Sequence, residues 1–123
     1  MIIGVVNTRH EATIRLPVHD AAGQEYAIEV VLDTGFNGSL TLPSSVIATL
    51  RLPWRTRGHI ILANGTTDVC DIYAATVIWD GRSRRILVEE ADTDPLIGMA
   101  LMYGHDVRME VIAGGRVSIE ALP

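Results

Sequence analysis

Apolar residues recur along this chain in short runs, mostly with a period of two, separated by Gly, Asp, Asn and Pro. That is the pattern of β-strands joined by turns. Met1–Val6 reads as a first strand. Thr13–Val18 and Glu25–Leu32 flank the turn Asp20-Ala-Ala-Gly23 and read as a hairpin. In the second of these, Tyr26, Ile28, Val30 and Leu32 share one face, and toward Leu32 both faces turn apolar, so the strand end should emerge from the interior. Leu40–Pro43 reads as a short strand, with Ser44 or Ser45 capping a helical turn over Val46–Leu50. His59–Leu62 runs into Ala63-Asn64-Gly65-Thr66 and returns along Val69–Val77; Asn-Gly predicts a hairpin turn with positive φ at both positions. A second hairpin is expected at Asp80-Gly81, with Arg85–Glu89 returning. Leu96-Ile97-Gly98 precedes a helical stretch, Met99–Tyr103. Arg108–Ile112, a turn at Gly114-Gly115 and Arg116–Leu122 close the chain. About eight strands and two short helices place the chain in the all-β class, as a small closed barrel.

Size and charge narrow the function classes. With 123 residues, 48% of them hydrophobic, one domain spanning residues 1–123 is expected, large enough for its own core. No apolar run approaches the roughly 18 residues of a membrane span, and Met1–Val6 lacks the basic lead of a signal peptide, so a cytoplasmic protein is expected. Net charge is −5, and no basic patch is dense enough to hold a phosphate backbone, which argues against a nucleic-acid partner. The densest basic run, Arg82-Ser83-Arg84-Arg85, reads as a solvated hairpin end. The single Cys70 has no partner for an internal disulfide and reads as a small buried thiol. His10, His19, His59 and His105 show no zinc spacing, so neither metal nor other cofactor is expected.

The chemistry concentrates in Asp33-Thr34-Gly35, at the exit of the run Ile28–Leu32 and followed by Phe36-Asn37-Gly38-Ser39. A carboxyl, a small hydroxyl and a glycine at a buried strand's end are what an aspartic protease requires. Two carboxyls about 3 Å apart cannot both ionise cheaply, so one holds the proton and the other acts as base. Asp33 would supply the carboxyl. Thr34 would bond across to the opposite loop, and Gly35 would bring its N–H close to the carboxylate. The chain carries one such triplet, so a working site needs two copies, that is, a homodimer. Such a triplet falls by chance in roughly two of every hundred chains of this length, and an Asx-type turn closing a strand explains it equally well on local grounds.

The order of motifs resembles the retropepsin-like aspartic proteases, and their bacterial single-domain type more closely than the retroviral enzymes. Asp33–Pro43 is similar to the catalytic loop of that type, Leu62–Thr66 to the flap, and Leu96-Ile97-Gly98 to the second motif, whose strand crosses beside the catalytic loop. The resemblance implies a homodimeric endopeptidase with one Asp33 from each subunit and an extended peptide or protein substrate held between floor and flaps. It implies substrate contacts from Phe36, Asn37, Gly38, Ile60, Leu62, Ala63, Asn64, Gly65 and Ile97. Two positions depart from related patterns. Asn37 and Met99 stand where retroviral enzymes carry a charged pair, and Phe36 stands where pepsin-like relatives carry a hydroxyl, which implies activity reaching toward neutral pH. Retroviral relatives also pair their chain ends across the dimer; here the terminal strands pair either in that way or within the subunit. The alternative function is a peptide-binding or scaffold module that keeps the barrel and does not cleave.

Other groups have plain structural readings. Asp92-Thr93-Asp94-Pro95 lacks the glycine and reads as a loop. Glu89-Glu90 reads as solvated surface. Trp54 and Trp79 are expected to cover the barrel or an interface.

Overall fold

The computed structural model describes residues 1–123, apart from the side chain of Ile60. Its elements run β1 (Ile2–Val6), β2 (Ala12–His19), β3 (Glu25–Leu32), β4 (Leu40–Leu42), α1 (Ser44–Leu50), β5 (Trp54–Ile61), β6 (Thr67–Trp79), β7 (Arg82–Glu90), β8 (Leu96–Ile97), α2 (Met99–Met102), β9 (His105–Met109) and β10 (Arg116–Ala121). Strands hold 54% of the residues and helices 9%, in keeping with the expected β class. There are ten strands among the described residues where the periodicity predicts about eight; β8, two residues long, is too short to show a period.

All strands join one sheet in the order β5-β6-β7-β4-β8-β3-β2-β1-β10-β9. An added contact between β2 and β6, Val18 opposite Val77, closes β6, β7, β4, β8, β3 and β2 into a ring. Most neighbours are antiparallel. The two parallel pairs, β3 with β8 and β4 with β7, both lie beside the Asp33 loop. The core inside this sheet is aliphatic: Leu16, Val30, Leu40, Val88, Ile97 and Leu101 are fully buried. Leu101 comes from α2 and the others from strands; β2 shows the alternation of inward and outward residues, with Ile14, Leu16 and Val18 buried and Arg15 exposed.

Several details decide or correct points of the sequence reading. β1 pairs with β10 and β2 of its own chain, so the terminal strands are partnered within the subunit. Neither serine caps α1: Pro43 occupies the N-cap position with no side-chain hydrogen bond, its fixed φ already suiting a helix start. The Asn64-Gly65 turn has positive φ only at Gly65, whereas Asp80-Gly81 has it at both positions. The first is a three-residue loop in which Leu62 N–H donates to Thr66 O; the second is the two-residue turn. Trp79 is buried, but Trp54 is exposed and donates its indole N–H to Asp71 Oδ1 at 3.1 Å. Cys70 is buried, as expected. No helix among the described residues is long and apolar enough to cross a membrane.

Candidate functional site

The triplet sits where β3 leaves the sheet. Val31 N–H donates to Pro95 O and Asp33 N–H to Ile97 O, both at 2.9 Å, so the parallel ladder with β8 continues through Asp33 itself. The side chain is half-buried. Its Oδ1 accepts the Gly35 N–H at 2.9 Å, and its main-chain carbonyl accepts the Phe36 N–H at 3.1 Å. These bonds orient the carboxyl from below while Thr34 and Gly35 remain exposed.

The rest of the loop is fixed from behind by the segment after β8. Gly98 N–H donates to Ser39 O, Met99 N–H to Phe36 O and Ala100 N–H to Gly38 O, at 3.1, 2.8 and 3.1 Å. The first amides of a helix have no partner within it. In α2 the loop carbonyls take that place. The approach is close enough to require glycine: a β-carbon on Gly98 would lie 2.5 Å from Phe36 O and nearer still to Gly38 O. The Phe36 ring packs over Gly38 and Gly98, which accounts for a large apolar residue at this position. At its other end α2 is held by Arg84, whose guanidinium donates to Leu101 O and Ala100 O at 3.1 and 3.3 Å.

Asp33, Gly35, Phe36, Gly38 and Ile97 therefore belong to one assembly. Ile97 contributes a carbonyl to it; its side chain is fully buried in the core, so it is not placed to touch a substrate. Asn37 is exposed on the loop. Leu62, Ala63, Asn64 and Gly65 form the exposed tip of the β5–β6 hairpin. There Gly65 N–H donates to Leu62 O at 2.9 Å, and Asn64 Oδ1 accepts from Thr66 N–H and Oγ1 at 3.0 and 2.6 Å. No hydrogen bond among the described residues joins this tip to the Asp33 loop. Ile60, expected to contact substrate, has a side chain outside the described residues.

Two residues of this region were read from the sequence as solvated surface. Arg84 is half-buried against α2. Glu89 is half-buried beside the loop, its Oε2 2.5 Å from where a Gly38 β-carbon would lie, and burial pushes its carboxyl above the ordinary glutamate range. The parallel pairing of β4 with β7 sets Glu89 opposite Thr41. Parallel partners leave no local mark in a sequence, so no motif signals this placement. A cavity of about 450 Å³ opens here, with Gly38, Ser39, Arg84, Glu89 and Ala100 in its wall. Among the described residues, no group of three or more His, Cys, Asp or Glu is gathered to hold a metal ion.

No family model matches the chain, and no curated protein matches it. Among solved structures it is similar to EIAV protease complexed with the inhibitor HBY-793, with a TM-score of 0.55 and 20% identity over 78% of this chain and 88% of that one. At that identity the likeness is one of architecture: the chain is a mostly β protein with a retropepsin-like fold.

Proposed function

We propose that this chain is one closed-barrel domain of a homodimeric aspartic endopeptidase, of the bacterial single-domain retropepsin-like type, in which Asp33 from each subunit forms the acid/base pair. The observation that carries this reading is the support of Asp33. Its amide is tied to Ile97 O, its Oδ1 accepts the Gly35 N–H, and its loop is braced by α2. A fold like that of an inhibitor-bound protease adds to it.

Across the two-fold axis, two carboxyls about 3 Å apart share one proton. The ionised member takes a proton from a water held between them. The water oxygen then attacks the scissile carbonyl carbon, while the protonated member gives its proton to the carbonyl oxygen. Collapse of the tetrahedral intermediate returns a proton to the leaving amine. Gly35 N–H stabilises the ionised form, and the exposed Thr34 hydroxyl bonds to the opposite loop. The substrate is an extended peptide lying between the floor, Phe36–Gly38, and the hairpin tip, Leu62–Gly65. Tip main-chain groups add hydrogen bonds as strand-addition sites do. No cofactor enters the reaction, and the protein works in the cytoplasm.

The test is hydrolysis of a denatured protein substrate by the purified chain and by Asp33→Asn. We expect the variant to lose activity by about 10³-fold or more. Equal cleavage by both, or peptide binding without cleavage by either, overturns the protease reading; the second result makes the chain a binding module.

A further inference from the structure

We infer that Glu89 is a specificity-determining residue of the proposed protease: it selects peptides with a lysine or arginine a few residues from the scissile bond, and seats that side chain in the cavity beside Gly38. The inference rests on the protease reading above and adds the substrate class to it.

The strand pairings put Glu89 and Asp33 on one face of the sheet. Val31 lies opposite Leu96, Leu96 opposite Thr41, and Thr41 opposite Glu89, so these four form a row across β3, β8, β4 and β7. The next row along, Leu32, Ile97, Leu40 and Val88, turns to the other face. There Ile97, Leu40 and Val88 are fully buried in the core and Leu32 packs against them. Asp33 stands two residues beyond Val31 and so shares the face of the Glu89 row. Neighbouring strands lie about 4.8 Å apart, so the three steps from β3 to β7 set Glu89 roughly 14 Å to the side of the catalytic strand. An extended peptide covers that distance in about four residues, or in fewer where a long side chain reaches sideways.

The chemistry of the cavity matches a long cationic side chain. Its volume is about 450 Å³. Ile72 lies opposite Glu89 and Leu87 two residues before it, so both share its face and give the wall apolar surface. The Glu89 carboxylate has no ion-pair partner among the described residues. Burial raises its carboxyl, and no neighbouring cation offsets the rise. The two arginines of the wall are engaged or distant. Arg84 gives its guanidinium to Leu101 O and Ala100 O. Arg85 is exposed and stands four residues back along β7, about 13 Å from Glu89. Gly38 leaves the carboxylate reachable from the proposed floor, since a β-carbon there would lie 2.5 Å from Glu89 Oε2. Lysine and arginine lay an apolar stem along apolar surface and place a charge at its end. Here the stem rests on Ile72 and Leu87, and the head meets Glu89. The net charge of −5 favours the approach of such peptides.

The test compares wild type, Glu89→Gln and Glu89→Lys on reduced, denatured serum albumin, with the fragments sequenced by mass spectrometry. Wild type is expected to cut mainly where a lysine or arginine stands within about four residues of the scissile bond. On two peptides spanning the best site, one with lysine and one with norleucine in its place, kcat/KM should favour lysine by about tenfold. Glu89→Gln should cut both at equal rates. Glu89→Lys should favour a third peptide with glutamate at that position. The reversal separates recognition of charge from a supporting role, which would lower all rates together. If the three proteins share one set of sites, or the variants lose rate equally on every peptide, the Glu89 inference is wrong and the protease reading stands. If wild type cuts nothing, both fall.

Discussion

The loop from Asp33 to Ser39 gives three carbonyls to main-chain amides of Gly98, Met99 and Ala100, whereas the loop from Leu62 to Thr66 bonds only within itself. Both follow strands and both depend on a glycine, Gly98 behind the first loop and Gly65 within the second, but the glycines do different work. Gly98 is required by proximity: it removes a side chain where two backbones touch. Gly65 is required by conformation: its φ is +82°, and a β-carbon there would meet nothing within 4 Å. The proposed reaction, with two carboxyls in fixed register, would call for the first kind of support. A tip that admits and covers a peptide, as proposed, would call for the second.

Gly98→Ala should have the largest effect. The added methyl drives into two main-chain carbonyls that have no freedom to retreat, and we expect a loss of about 3 kcal/mol in denaturant unfolding. Gly65→Ala should cost about 1 kcal/mol, the expense of a left-handed backbone for an alanine, with no steric term. If the two substitutions cost the same, the contrast between the loops is wrong. Smallest is Glu89→Gln, beside the braced loop. Burial raises the Glu89 carboxyl, so the folded chain holds that proton to higher pH than the unfolded chain does. Stability therefore falls as pH rises from the ordinary glutamate value toward the raised one, then levels off. The amide should raise Tm at neutral pH by at most about 3 °C, and the gain should vanish below about pH 4. A gain that persisted at acid pH would mean packing, not charge, sets the effect.

Some of this was readable from the residues alone. Glu25–Leu32 alternates cleanly and ends in the triplet, and the strand occupies those residues. Leu96-Ile97 reads as apolar and short, and it is the central strand between β3 and β4. Other strands were obscured by what their neighbours supply. β5 begins at Trp54, five residues before the apolar run at His59, because Arg55 and Arg57 lie on an exposed edge paired only with β6. β9 starts at His105 and stops at Met109. Val111 and Ile112, which draw a strand prediction toward them, are largely exposed in the turn that follows. The triplet was legible as local chemistry. Its brace was not, because Glu89, Arg84 and the α2 amides reach the loop through parallel pairing and helix ends, which leave no periodic signature.

The two residues of β8 also set an order of events during folding. Leu96 donates its amide to the Thr41 hydroxyl, 55 positions back along the chain, and slots between β3 and β4. Closing so long a loop for so few contacts is slow, and topologies dominated by distant pairings mature late. On a ribosome, the Asp33 loop stays unbraced until Gly98, Met99 and Ala100 have been made. A nascent chain would thus have no organised Asp33 loop to turn against its neighbours until that distant segment has followed it out.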